Sequence, residues 1–204
     1  MWAFKQNIYK AKREDSVVVL DPFDYMIVTY SYRHDDFARD LDTATKFANT
    51  GSVEDSKKVG CGQNGYITPT NVTPINDAYL YQNGDDSGNG LGESILINFK
   101  NLELSGVSVN NDVTVELYGG WCLKPGQNPN DVANVSVTTY TGGTISLAPS
   151  PLNTISSNGV IKDQFIHTNF PVISGCCSTP VANKTHIGTV YYNLVTKVAS
   201  VVFY

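Results

Sequence analysis

Charge is scarce in this chain: of 204 residues only 16% are Asp, Glu, Lys or Arg, and the formal net charge is -5. A basic surface built to hold nucleic acid is therefore excluded as its main business. Long apolar runs are missing too, since no stretch approaches the ~18 consecutive apolar residues of a membrane-spanning helix. The start, Met1-Trp2-Ala3-Phe4-Lys5-Gln6-Asn7, has no basic stretch leading into an apolar one and does not read as a secretory signal. A protein made and assembled in a cytosol is the expectation. Cysteine is limited to Cys61, Cys122, Cys176 and Cys177, with no paired C-x-x-C spacing and no disulfide framework. These are expected to be reduced, buried thiols that pack as small hydrophobes.

The motifs of common enzyme classes are also absent: no G-x-S-x-G elbow, no phosphate-binding Gly-Lys loop, no dinucleotide fingerprint. Cys176-Cys177, with His167 and His186 nearby in sequence, lacks the base and orienting group of a thiol nucleophile. It also lacks the four-ligand spacing of a zinc site. His34, beside Asp35 and Asp36, reads as a solvated loop histidine. Carboxylate pairs at Asp40/Asp42 and Asp85/Asp86 meet the minimum for glycoside hydrolysis, but a sugar-lined cleft is poorly supplied by Trp2 and Trp121 alone. A non-enzymatic protein is expected.

What is present is β pattern. Val17-Val18-Val19-Leu20, Tyr25 to Tyr32, Ala78 to Tyr81, Ser94 to Phe99, Val113 to Tyr118, Val135 to Tyr140, Thr189 to Val195 and Val198 to Tyr204 are rich in β-branched and aromatic residues. Those types pack well on a pleated surface. Turn residues separate them, among them Asn83-Gly84, Asn110-Asn111, Pro125-Gly126 and Gly142-Gly143. The pattern predicts an all-β fold, an antiparallel β-sandwich over 16–204 with an extended amino-terminal arm at 1–15. An irregular elaboration is expected at 141–180, and helix is expected only around Asp36 to Phe47. The apolar strand ending at Tyr204 must be paired, within the fold or with another chain, because an open apolar edge invites aggregation.

The glycine-rich acidic loop Gly84-Asp85-Asp86-Ser87-Gly88-Asn89-Gly90-Leu91-Gly92-Glu93 directly precedes the apolar segment Ser94 to Phe99. Glycines permit tight fold-back, and Asp, Asn and Ser oxygens can converge on a hard cation or cap the loop's own backbone through Asx-turns. Read with Asp40-Leu41-Asp42, the stretch from Tyr25 to Trp121 resembles the tellurite-resistance TerD-type calcium-binding β-sandwich family, with its D-L-D motif and its acidic loop ending in Glu before an apolar strand. The resemblance implies Ca²⁺ held by Asp40, Asp42, Asp85, Asp86 and Glu93. The loop is shorter than the family's, and Leu91-Gly92 stands where an acidic pair is usual.

In the arm, Trp2, Phe4, Ile8 and Tyr9 are interleaved with Lys5, Lys10, Lys12 and Arg13. Aromatic residues on a tail too short for a core of its own gain from a partner surface that desolvates them. Folding back over the sandwich is the other outcome. In overall style the chain resembles structural proteins of tailed-phage virions, including head fibres, capsid decoration proteins and tail adaptors of crAss-like phages. That likeness implies capsid or tail subunits as partners, homo-oligomers, no nucleic-acid or membrane partner, and assembly in a host cytoplasm. Two further readings are a TerD-like cytoplasmic stress protein and a carbohydrate-binding module in which surface tyrosines and Trp121 stack on sugars.

Overall fold

The computed structural model describes residues 16–32, 40–48, 58–60, 65–67, 79–83, 93–100, 102, 110–122, 132–148 and 154–204. These form an antiparallel β-sandwich, and the described residues contain no α-helix. In chain order the strands are β1 (Ser16–Leu20), β2 (Tyr25–Tyr32), β3 (Leu41–Phe47), β4 (Lys58–Gly60), β5 (Gly65–Ile67), β6 (Leu80–Gln82) and β7 (Glu93–Asn98). They continue with β8 (Asp112–Trp121), β9 (Val132–Thr141), β10 (Ile145–Leu147), β11 (Ile155–Ser157), β12 (Val160–Pro171), β13 (Thr185–Asn193) and β14 (Ala199–Phe203). One six-stranded sheet has the order β1-β14-β13-β8-β3-β4, and the facing sheet has the order β12-β9-β2-β7-β6-β5. The chain crosses repeatedly between sheets, so the central neighbours β13-β8, β8-β3, β9-β2 and β2-β7 are far apart in sequence.

Side-chain alternation sorts the central strands into a core row and an outer row. On β2, Met26, Val28, Tyr30 and Tyr32 enter the core between the sheets, while Tyr25 and Ile27 face outward under the small hairpin β10-β11. Leu96 of β7 joins that outer cluster with Ile145 and Ile155. Strands β2 and β7 are thus covered on both faces, which is why their sequences are nearly continuous apolar runs rather than alternating ones. Asn83 fixes the hairpin by donating from Nδ2 to the carbonyls of Ala148 and Thr154, both at 3.0 Å.

Several sequence expectations are corrected here. The segment 41–47, expected as the end of a helix, is strand β3, because Leu41, Thr43, Thr45 and Phe47 take the core row and lie fully buried. The stretch 141–180 is more regular than expected: it holds the hairpin and the long edge strand β12, whose register is broken by irregularities between Ile161 and Gln164 and between His167 and Phe170. Such bulges blunt an exposed edge. The carboxy-terminal strand is paired within the fold, as β14 lies between β1 and β13. Trp121 is fully buried, edge-on to Tyr32 at 5.1 Å, and so is not available to stack on a sugar. The arm residues Trp2, Phe4, Ile8 and Tyr9 lie outside the described residues.

Burial of this kind predicts a sharp contrast between faces. Trp121→Ala should cost about 3–5 kcal/mol in urea unfolding through lost burial and a residual cavity, whereas Val19→Thr on the outer face should stay within about 0.5 kcal/mol. Equal effects from the two would overturn the assignment of faces.

Candidate functional site

Two polar centres flank β3, one on each of its faces. Inside the sandwich, Glu93 opens β7 on the core side and is 1% exposed. Its carboxylate oxygen Oε2 accepts from the Thr43 backbone N–H at 3.1 Å, from the Thr43 hydroxyl, and from Gln82 Nε2 at 2.9 Å. Gln82 Nε2 also reaches Thr43 Oγ1 at 3.2 Å. A buried carboxylate is tolerated only with such partners. Tyr30 sits opposite Glu93 in the β2–β7 register. Burial, and secondarily the negative charge of Glu93, pushes its hydroxyl far above the ordinary tyrosine range. Gly60 closes the network at a φ of +124°, where an added Cβ would lie 2.3 Å from the Thr43 carbonyl oxygen. Only glycine fits that conformation and that gap.

On the outer face, Asp42 and Ala44 share a row with Tyr118 and Gly120 of β8. The segment leading from β12 to β13 folds down on this row. Trp121 N–H donates to the Ile173 carbonyl and Gly175 N–H to the Trp121 carbonyl, both at 2.9 Å, making a parallel bridge at Ser174. The approach is close because Gly120 has no side chain: a Cβ there would lie 2.3 Å from the Gly175 carbonyl oxygen. Val181, in a 3-10 turn at Val181–Asn183, packs on Ala44 and Tyr118. Lys184, 5% exposed, donates from Nζ to the carbonyls of Gly175 at 2.7 Å and Cys176 at 2.9 Å.

Cysteine chemistry departs from the sequence expectation at this point. Cys122 and Cys176 form a disulfide, and Cys177, expected to be buried, is exposed, with its Sγ 2.8 Å from Asp42 Oδ1. The bond joins residues 54 apart in sequence, and closing a loop of that length stabilises the fold by up to about 4 kcal/mol in the chain-entropy account. The spacing rules that argue against a framework apply to small secreted scaffolds, whereas this pair meets only because the fold lays one segment over another. Gly119-Gly120 inside a strand pattern was the available signal, since such glycines mark close backbone approach.

Of the residues proposed from sequence as calcium ligands, the described Asp42 and Glu93 lie on opposite faces of β3. Thr43 carries the core-side contact to Glu93, and Asp42, its neighbour, faces the disulfide on the other side of the sheet. Asp40 is half-buried, and its carbonyl accepts from Cys122 N–H at 2.8 Å. Asp85 and Asp86 lie outside the described residues. Comparison with protein-family models, with curated proteins and with solved structures returned no match. No described helix is long and apolar enough to cross a membrane.

Two outcomes follow from these contacts. Glu93→Leu leaves the Thr43 and Gln82 donors without their acceptor and should cost about 3 kcal/mol or more. Glu93→Gln keeps one acceptor oxygen and should cost clearly less, as the urea midpoints will show; a leucine variant as stable as the glutamine variant would sink the assignment.

The second outcome concerns pH. His186 stacks on Tyr118 and lies against Tyr204, each at 4.7 Å, and His167 stacks on Phe203 at 4.7 Å. Burial depresses both imidazoles, with Glu116 opposing and Lys46 adding to the effect at His186. The unfolded chain therefore takes up protons first as pH falls through about 6.5, and stability declines with it. The melting temperature should drop between pH 7 and pH 5.5, and the double variant His167→Phe, His186→Phe should flatten that slope; an unchanged slope would assign the loss to other groups.

Proposed function

We infer that the chain is a non-enzymatic structural protein that attaches to partner subunits through its amino-terminal arm, as a head fibre, capsid decoration or tail adaptor of a bacteriophage virion. The observation that carries this reading is the outer face of β1, the strand that the arm enters. Val17 and Val19 are 60% and 71% exposed there, while their neighbours Val18 and Leu20 turn inward against the core. Pairing of β1 with β14 and of β14 with β13 sets Val17 beside Val202 and Val19 in one row with Ser200 and Tyr191. Tyr191 and Val198 are also exposed. This apolar patch lies on the strand that follows the arm bearing Trp2, Phe4, Ile8 and Tyr9 in sequence, and it offers a protein partner an exposed surface beside the arm's attachment point.

The disulfide supports a particle that leaves the reducing interior of a cell, because such bonds persist in oxidising surroundings. A sandwich with a stapled surface segment suits a part that must survive there. Self-association into a homo-oligomer through the same edge belongs to this reading.

Retention on purified virions in a density gradient tests it. The full chain should sediment with particles, and a chain lacking residues 1–13 should stay folded by circular dichroism yet remain at the top. Trp2→Ala with Phe4→Ala should weaken association more than 10-fold, since each large aromatic anchor contributes roughly 2 kcal/mol. Lys10→Ala with Lys12→Ala should act mainly on the rate of encounter. Unchanged retention with a lowered melting temperature would show that the arm belongs to the protein's own core and end the docking reading.

A further inference from the structure

We propose that reduction of the Cys122–Cys176 disulfide converts the outer-face centre into a binding site for one thiophilic divalent cation of the zinc class, with Cys122, Cys176, Cys177 and Asp42 as ligands. One carboxylate oxygen of Asp42 and the sulfurs of Cys122 and Cys176 lie within 4.8 Å of one another. Cys177 Sγ stands outside that group but 2.8 Å from Asp42 Oδ1, and it must swing inward to become the fourth donor. A tetrahedral zinc with Zn–S near 2.3 Å separates its ligand sulfurs by about 3.8 Å, so Asp42, Cys122 and Cys176 are already gathered near the scale of a coordination shell. Four ligands of the types S, S, S and O complete a closed, structural-type site.

The surroundings match that demand. Asp42 is 2% exposed and held on the rigid strand β3. Cys122 directly follows β8, and the segment carrying Cys176 and Cys177 is fixed to the same strand end by the Trp121–Ile173 and Gly175–Trp121 hydrogen bonds. The ligands would therefore stay near each other after the covalent bond opens. Three thiolates and a carboxylate around a divalent ion leave a net charge of -2, and the Lys184 ammonium, bonded to the Cys176 carbonyl, offsets part of it. Soft thiolates favour zinc-class ions over calcium or magnesium, so Asp42 would serve a different metal from the one that the acidic loop suggests.

The chemistry balances as two steps. A dithiol reductant gives two electrons and two protons to the Cys122–Cys176 bond and is itself oxidised to a disulfide. The cation then displaces the protons of the three thiols, which pass to solvent, so acidity weakens binding. Metal and disulfide are alternative staples for the same segment, the first suited to a reducing compartment and the second to an oxidising one. This inference stands independently of the docking reading.

The test uses the full chain reduced with a phosphine reductant under anaerobic, chelator-treated conditions and titrated with Co²⁺ and then Zn²⁺. Expected are one equivalent bound, the sulfur-to-cobalt charge-transfer absorption of a tetrahedral thiolate site, displacement by zinc, and no such absorption for the oxidised chain. Cys177→Ser and Asp42→Asn should each weaken zinc at least 10-fold in competition with a chromogenic chelator, while Cys177→Ser leaves the melting temperature of the oxidised chain unchanged. Cys61→Ser should leave binding intact. A reduced chain that keeps its β spectrum but shows no charge-transfer band overturns the proposal, and so does cobalt binding lost with Cys61→Ser but kept with Cys177→Ser. Should reduction unfold the chain, zinc must restore the β spectrum; failure to do so overturns it equally.

Discussion

Successive residues of a β-strand face opposite sides of the sheet, and along β3 this alternation sends Thr43 into the sandwich and leaves Asp42 on its surface side. Thr43 offers both its backbone N–H and its hydroxyl to Glu93, tying β3 of one sheet to β7 of the other through a buried carboxylate. Asp42, one residue away, faces the cysteines and the segment that crosses the end of β8. The two centres cannot exchange ligands, because a sheet lies between them. Their separation leaves the interior network tying the two sheets together and gathers the cysteines at the outer centre.

Backbone proximity, more than side-chain packing, sets up that outer centre. Gly120 permits the Gly175 carbonyl to lie almost against the sheet, and the bridge at Ser174 makes the covering segment an extension of β8. The disulfide adds restraint to an arrangement already fixed by hydrogen bonds, and Lys184 donates to two carbonyls of the turn, that of Gly175 and that of Cys176, the second of which also accepts from Thr179 N–H. A side chain at 120 would push the segment away and separate Cys176 from Cys122. The same close approach places the sulfurs of Cys122 and Cys176 beside the Asp42 carboxylate, with Cys177 reaching that carboxylate from the next position.

At the other end of this sheet the physics differs. Strand β1 contributes Val18 and Leu20 to the core and presents Val17 and Val19 outward, while β14, now an interior strand, shields the terminal apolar residues. The molecule thus has one stapled region and one apolar edge, at opposite sides of the sheet order. The proposed docking face and the proposed metal-or-disulfide staple are thus separate features of the fold.

The β2 run Tyr25 to Tyr32 was legible at its true limits because β-branched and aromatic residues continue through a strand covered on both faces. β7, β8, β9, β13 and β14 were found for the same local reason, within a few residues at their ends. β3 was not, since Leu41-Asp42-Thr43-Ala44-Thr45-Lys46-Phe47 carries polar residues in both rows: Thr43 and Thr45 are buried by contacts with Glu93's network and the facing sheet, which no local periodicity records. Glu93 was identified as a ligand from the acidic loop before it, yet its partners are Thr43 and Gln82, 50 and 11 residues away. The pairing of Cys122 with Cys176 depends on the crossing of two segments that share no motif. Composition and short-range pattern alone determined that the chain folds as an antiparallel sandwich, because strand formation is driven by residues that are near in sequence. Which polar groups meet, and on which face, was decided only by tertiary structure, because register between distant strands assigns each side chain its neighbours.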